Sequence, residues 1–139
     1  MVIDKVFEEI IERFKKTEEL NVVDNYHKVN GILPDIGTSI SMGCEEIKFE
    51  VYDNSLDEAS TDINIFVYTQ ESDPEEGEKV IRDLAEVIRL ELLKDITLGG
   101  LISSGEVKHI QFIYADTSET MYWHAAMIVF DVTYYEDRC

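Results

Sequence analysis

Two segments of the chain repeat apolar residues every three or four positions, which predicts two amphipathic helices. The first covers residues 3–20, and charged residues fill its other face. The second covers residues 75–94. Its start is marked by an aspartate N-cap, Asp73, by Pro74 at the first helical position and by Glu76 three residues after the cap. The apolar stripes are Ile3, Val6, Phe7, Ile10, Ile11 and Phe14, and then Val80, Ile81, Leu84, Val87, Ile88 and Leu92.

Apolar and polar residues alternate in residues 47–52 and 63–68, which predicts two strands with one buried face. Two longer strands are expected at residues 107–114 and 121–135, joined as a hairpin. The order is therefore helix, two strands, helix, two strands. It predicts a single α+β domain over residues 1–139, with an antiparallel sheet of about four strands and both helices packed on one face. Residues 21–37 are expected to form a loop with at most one short strand near residues 26–29.

The last strand has apolar residues on both faces, because residues 125–130 read Ala-Ala-Met-Ile-Val-Phe. Two helices can hardly cover both faces of a four-stranded sheet, so the second face needs another layer or another subunit. Aromatic residues on this strand are typical of cross-strand packing, and they are also enriched at protein interfaces. The candidate subunit interface consists of Trp123, Met127, Val129 and Tyr134.

Acidic residues dominate the charge. Thirty acidic residues against twelve basic ones give a net charge of −18 in 139 residues. Such a field repels phosphates and anionic lipids, so nucleic-acid and membrane binding are disfavoured. The negative charge is compatible with two roles, keeping the protein soluble and docking to a basic partner. Four carboxylates fall between the first two strands, where we expect a protruding acidic loop or a ragged hairpin tip: Asp53, Asp57, Glu58 and Asp62.

No residue pattern indicates catalysis. The chain has no Gly-x-Ser-x-Gly sequence, no phosphate-binding glycine loop and no dinucleotide fingerprint. His27, His109 and His124 lack metal-ligand spacing, although the last two lie on strands expected to pair and to bring them together. Cys44 and Cys139 are far apart and favour free thiols in a reducing, intracellular compartment. We expect no enzyme, no metal and no cofactor.

The chain resembles the small tail-completion or tail-terminator proteins of long-tailed bacteriophages and prophages. The resemblance rests on the element order, on a tyrosine near the C-terminus and on the turn directly after the second helix. In the family this turn reads approximately Leu-x-x-Asp-x-Thr-Leu-Gly-Gly. The matching residues are Leu92, Asp95, Thr97, Leu98, Gly99 and Gly100. The long segment before the first strand, residues 21–42, departs from the family layout.

The resemblance implies a hexameric homo-oligomeric ring that caps the tail tube and joins it to the head. It implies tail-tube and head-tail connector proteins as partners, a place in the virion tail, and assembly in the bacterial cytoplasm. DNA would pass through as a polymer, and an acidic lumen would lower its adhesion. The candidates for this lumen, or for a loop that contacts a partner, are Asp53, Asp57, Glu58 and Asp62. The alternatives are a head-completion connector protein and an acidic DNA-mimic inhibitor.

Overall fold

The computed structural model describes residues 1–29, 37–116 and 122–138. It contains two α-helices, a short 3₁₀ helix at Glu18–Leu20, and one sheet. The helices are α1, Val2–Lys15, and α2, Pro74–Lys94. The strands are β1, Asn25–His27; β2, Thr38–Val51; β3, Leu56–Glu71; β4, Ser104–Asp116; and β5, Tyr122–Asp137. Their order across the sheet is β1-β2-β3-β5-β4.

The α+β class is confirmed, and the sheet differs from the expectation in strand number and direction. It has five strands, and β1 runs parallel to β2 while every other pair is antiparallel. β1 overlaps the short strand expected near residues 26–29, and it pairs with only three residues, Ser39–Ser41. The first half of β2 escaped the sequence pattern because it contains serines and Gly43, which have low strand propensity.

The core lies between the helices and one face of the sheet. On β3 that face carries the odd-numbered residues, among them Ile63, Ile65 and Val67. Their partners on β5 are even-numbered, as the pair Ile65 and Ile128 shows. The buried stripes of both helices join the same apolar cluster, so we call this surface the helix face and the other the open face.

The second helix begins and ends where the sequence predicts. The carboxylate of Asp73 accepts hydrogen bonds from the backbone N–H groups of Glu75 and Glu76. The first helix ends at Lys15, five residues before the expected end at residue 20. It stops because Thr17 is extended, with φ −87° and ψ 117°, and its hydroxyl donates to the carbonyl of Arg13.

Residues 53–62 are not a protruding loop. The β2–β3 ladder continues to the pair Val51 and Asp57, so the turn contains only residues 52–55. Asp53 closes this turn, because its carboxylate accepts from the backbone N–H groups of Ser55 and Leu56 at 2.8 Å. The other three carboxylates of the expected loop, Asp57, Glu58 and Asp62, lie within β3.

Candidate interaction surfaces

The candidate subunit interface divides between the two faces of β5. Trp123, Met127 and Val129 lie on the open face, where Met127 pairs with Phe66 of β3. Tyr134 lies on the helix face and is fully buried in the core. Burial raises the pKa of its hydroxyl to about 12. Tyr134 therefore does not belong with the other three, because residues of even and odd number point to opposite faces of a strand.

One end of the open face is already buried within the chain. Tyr68, Trp123 and Ala125 form a second apolar cluster there, and Phe66 packs against it. The rings of Phe66 and Tyr68 stack with centroids 5.8 Å apart. Trp123 is only 8% exposed, so much of the apolar character of β5 is satisfied inside the molecule.

The other end of the open face forms a groove of about 580 Å³. Two irregularities in the strands build it. The register of β2 against β3 shifts between Cys44 and Ile47, and that of β4 against β5 shifts between Val107 and His109. Bulges of this kind redirect side chains. The charged lining of the groove consists of Glu45, Glu46, Asp62, Asp131, Lys48 and Lys108.

Lys108 bridges the carboxylates in the centre of the groove. Its ammonium lies 3.1 Å from Asp62 and 3.9 Å from Asp131, which face each other across β3 and β5. The hydrogen bond to Asp62, followed by the charges of both aspartates, raises the pKa of Lys108. The groove therefore presents four carboxylates that two lysines partly neutralise, since Lys48 also lies 3.6 Å from Glu46. Sequence reasoning missed this group, because only the two bulges and the register bring its members together.

The four candidate acidic residues do not form one surface. Asp53 is used in the β2–β3 turn, and hydrogen bonds from Ser55 and Leu56 lower its pKa. Asp57 lies 3.2 Å from Arg138, and Asp62 belongs to the groove. Glu58 pairs in register with Tyr135 of β5. Three of the four carboxylates are thus engaged in contacts within the chain.

The turn that carries the family resemblance is a closed hydrogen-bonded unit. The carboxylate of Asp95 accepts from the hydroxyl of Thr97 at 2.9 Å and from the backbone N–H of Gly99 at 2.8 Å. The guanidinium of Arg13 on α1 donates to the same carboxylate at 3.2 Å. These contacts lower the pKa of Asp95 to about 2, and the bond from Thr97 contributes most.

The backbone conformation of this turn explains why it contains two glycines. Gly99 and Gly100 have φ values of 72° and 91°, in the region that side chains disfavour. The side chain of Leu98 is 3% exposed and anchors the turn in the core. The hydrogen bonds of the turn thus join the end of α2 to α1.

The two candidate histidines do not meet. His109 faces the open groove, whereas His124 lies on the helix face, because it pairs with Thr69 in the odd-numbered series of β3. His124 is 2% exposed, and neither ring nitrogen has a hydrogen-bond partner among the described residues. It contributes to a small cavity of about 170 Å³ between α2 and β4, whose wall includes Ile81 and Phe112.

Both outer strands of the sheet keep a free edge over part of their length. In the described part of the chain, β1 covers β2 only at Ser39–Ser41, and no strand pairs with the outer side of β4. Exposed apolar side chains lie on these edges: Phe49 and Val51 on β2, and Phe112 and Ile113 on β4. The period-two pattern assigned Phe49 to a buried face, and only the strand order shows that it lies at an uncovered edge.

Within the described residues, no cluster of three or more histidine, cysteine, aspartate or glutamate side chains is arranged to hold a metal ion. No helix in the same part of the chain combines the length and the apolar character needed to cross a bilayer.

Comparison with known proteins finds likenesses among solved structures only, where 35 chains match. No family model matches the chain, and no curated protein matches it. Among solved structures, a chain in the virion of a native gene transfer agent particle is similar, with 12% sequence identity and a TM-score of 0.43. The likeness covers 91% of this chain and 92% of that chain. We transfer no function from a likeness at this level.

Proposed function

We propose that the chain is a non-enzymatic structural subunit of a phage-type particle, and more narrowly a tail terminator or tail-completion subunit that caps the tail tube and joins it to the head. The observation that carries the proposal is the turn after α2. Three of its matching residues, Asp95, Thr97 and Gly99, are joined by hydrogen bonds in one turn. Arg13 then ties that turn to α1.

The surface chemistry agrees with a role in assembly. The sheet leaves apolar side chains on both of its outer edges, and an acidic groove lies on the face away from the helices. Such a subunit can contact its neighbours through the edges of its sheet and keep the carboxylates of the groove free. Carboxylates that line a channel repel phosphates, so DNA can pass without adhering. The partners would be the tail-tube and head-tail connector proteins, and the location would be the virion tail.

The experiment is light scattering of the purified chain, alone and with the tail-tube protein of the same genome, over a range of salt and protein concentrations. At −18 per chain, subunits repel one another at low salt, so association is expected to strengthen as salt screens the charge. Binding to the tube supports the proposal. A chain that never binds the tube at any salt concentration contradicts it.

The carboxylate row in the groove favours a second candidate, an acidic mimic of DNA that occupies a basic protein site. Its carboxylates lie on adjacent strands, which are about 4.8 Å apart. Lys108 interrupts the row by pairing with Asp62, and this reduces the resemblance to a run of phosphates. A competition assay separates the two candidates. A DNA mimic displaces duplex DNA from a basic DNA-binding protein, whereas a tail subunit does not.

A further inference from the structure

The outer sides of β2 and β4 are each protected over one half and, as far as residues 1–29, 37–116 and 122–138 show, free over the other. β1 covers the outer side of β2 near its start, and the bulge at Cys44/Ile47 leaves residues 47–51 as a regular free edge. On β4, the bulge beside Lys108 disturbs the first half, and residues 109–113 form the regular free edge. Bulges on an edge oppose pairing with another chain, so the two regular segments are the places where pairing remains open, although Lys48 within the first works against it.

These free segments have matching side chains. Phe49 pairs in register with Ala59, and Phe112 with Ala126, and both partners belong to the core, so both phenylalanines point to the helix face. They are exposed to nearly the same extent, 48% for Phe49 and 50% for Phe112. Val51, two residues beyond Phe49, is 75% exposed on the same face.

Strand directions favour a contact between the two edges. Three antiparallel steps separate β2 from β4, so the two strands run in opposite directions within one molecule. If the sheet continues into a second molecule, β4 of the first meets β2 of the second in antiparallel orientation. The contact uses β4 of one molecule and β2 of the other, so it is head-to-tail. A head-to-tail contact can close into a ring.

The cavity between α2 and β4 lies beside this edge. Its volume is about 170 Å³, and Ile81 and Phe112 belong to its apolar wall, while Glu78, Arg82 and His124 add polar groups to the lining. Phe49 of an added β2 strand would be on the same face of the extended sheet as this cavity.

Charge identifies the occupant as a second copy. The segment 47–51 contains Lys48 and Glu50, whose charges cancel, and the segment 109–113 contains no acidic, lysine or arginine residue. The two segments are therefore neutral in a chain of net charge −18. Residues 109–113 offer no carboxylate to a basic partner. They suit a strand that has no net charge and carries apolar side chains on one face, as residues 47–51 do.

We propose that the chain associates head-to-tail with itself, residues 110–113 of β4 pairing with residues 48–51 of β2 in the next copy, so that Phe49 stands opposite Phe112 and packs beside α2. This contact supplies the subunit interface that a ring requires. Only the closure of that ring at the end of a tail rests on the proposed function.

The test uses the full chain and three lysine variants with equal change in charge. Phe112→Lys blocks the β4 edge, Phe49→Lys blocks the β2 edge, and Leu90→Lys is the control, since Leu90 is 48% exposed on α2. Circular dichroism first establishes that each variant is folded. Sedimentation velocity is then measured from low to high salt and over increasing protein concentration.

We expect the wild-type chain and Leu90→Lys to associate as salt and concentration rise, and each edge variant alone to remain monomeric. A one-to-one mixture of Phe49→Lys and Phe112→Lys should stop at a heterodimer, because each variant retains the edge that the other lacks. A wild-type chain that stays monomeric at every salt concentration overturns the inference. So does association that survives in both edge variants, or a mixture that forms no dimer.

The outcomes separate this inference from the proposed function. A wild-type monomer that still binds tail tubes overturns the head-to-tail contact and leaves the tail function standing. Oligomers that depend on Phe49 and Phe112 and do not bind tubes support the contact and contradict the tail function.

Discussion

At the scale of single residues, Asp95 shows how one side chain can organise a turn. Its carboxylate accepts from Thr97, Gly99 and Arg13, and it remains 38% exposed. Such bonds favour the charged form of a carboxylate. The acidic residue in the family pattern therefore has a structural explanation in this chain, which is the connection between α2 and α1.

The pKa of Asp95 leads to a prediction about acid stability. Its folded-state pKa of about 2 lies below the ordinary value of 3.8, so its contribution to stability is present above pH 3.8 and is lost as the pH falls towards 2. We expect the unfolding free energy of the wild-type chain to fall more steeply over this window than that of Asp95→Asn. Denaturant titrations at several pH values measure both slopes, and equal slopes would contradict the assignment.

Gly77 gives a second prediction at this scale. It lies in the first turns of α2 directly against the ring of His124, and a methyl group at residue 77 would overlap that ring. Ala is a better helix former than Gly by up to about 1 kcal/mol, but overpacking costs about 1–3 kcal/mol. We expect Gly77→Ala to destabilise the chain by about 1–2 kcal/mol.

Adding His124→Ala to Gly77→Ala removes the overlap. Because the two side chains are in direct contact, the effects should not add, and the double variant should lose less stability than the sum of the single variants. Additive effects in thermal or denaturant unfolding would mean that the ring and residue 77 do not press on each other.

At the scale of elements, α2 packs against the helix face of the sheet. Its buried stripe faces β3 and β5, and Ile88 and Ala85 are completely buried. Leu90, two residues from Ile88, is 48% exposed on the opposite side of the helix. The same element therefore offers a buried site and a matched exposed one.

We expect Ile88→Ala to lower the unfolding free energy by about 2–5 kcal/mol, because it removes buried methylene groups from the centre of the core. Leu90→Ala should change it by less than about 0.5 kcal/mol. Chemical denaturation of both variants gives the comparison. A loss below about 1 kcal/mol for Ile88→Ala would show that this side of α2 does not face the core.

The elements also show what a sequence can and cannot predict. α2 was predictable because Asp73 and Pro74 mark its start and its apolar stripe is regular. The acidic start of β3 resembled a loop, because the partners that compensate its charges, Arg138 and Lys108, are distant in sequence. The grouping of Tyr134 with Trp123 was avoidable, because alternation along a strand already puts residues 123 and 134 on opposite faces.

At the scale of the whole molecule, the two faces of the sheet are covered to different extents. The helices cover one face of the sheet, an internal apolar cluster buries part of the other, and the remainder is an acidic groove between two free edges. The groove could not be predicted from the sequence, because two bulges set its position. The edges required the strand order β1-β2-β3-β5-β4, which alternation alone does not give.

The central claim is that this chain occupies the end of a phage-type tail tube. Tail tubes assembled from the tube protein of the same genome can be incubated with the tagged chain, labelled with gold and imaged by negative-stain electron microscopy. The account predicts label at one end of each tube, and less of it with the edge variants Phe49→Lys and Phe112→Lys than with Leu90→Lys. Label spread along the tube wall, or no label on tubes at any salt concentration, would contradict it.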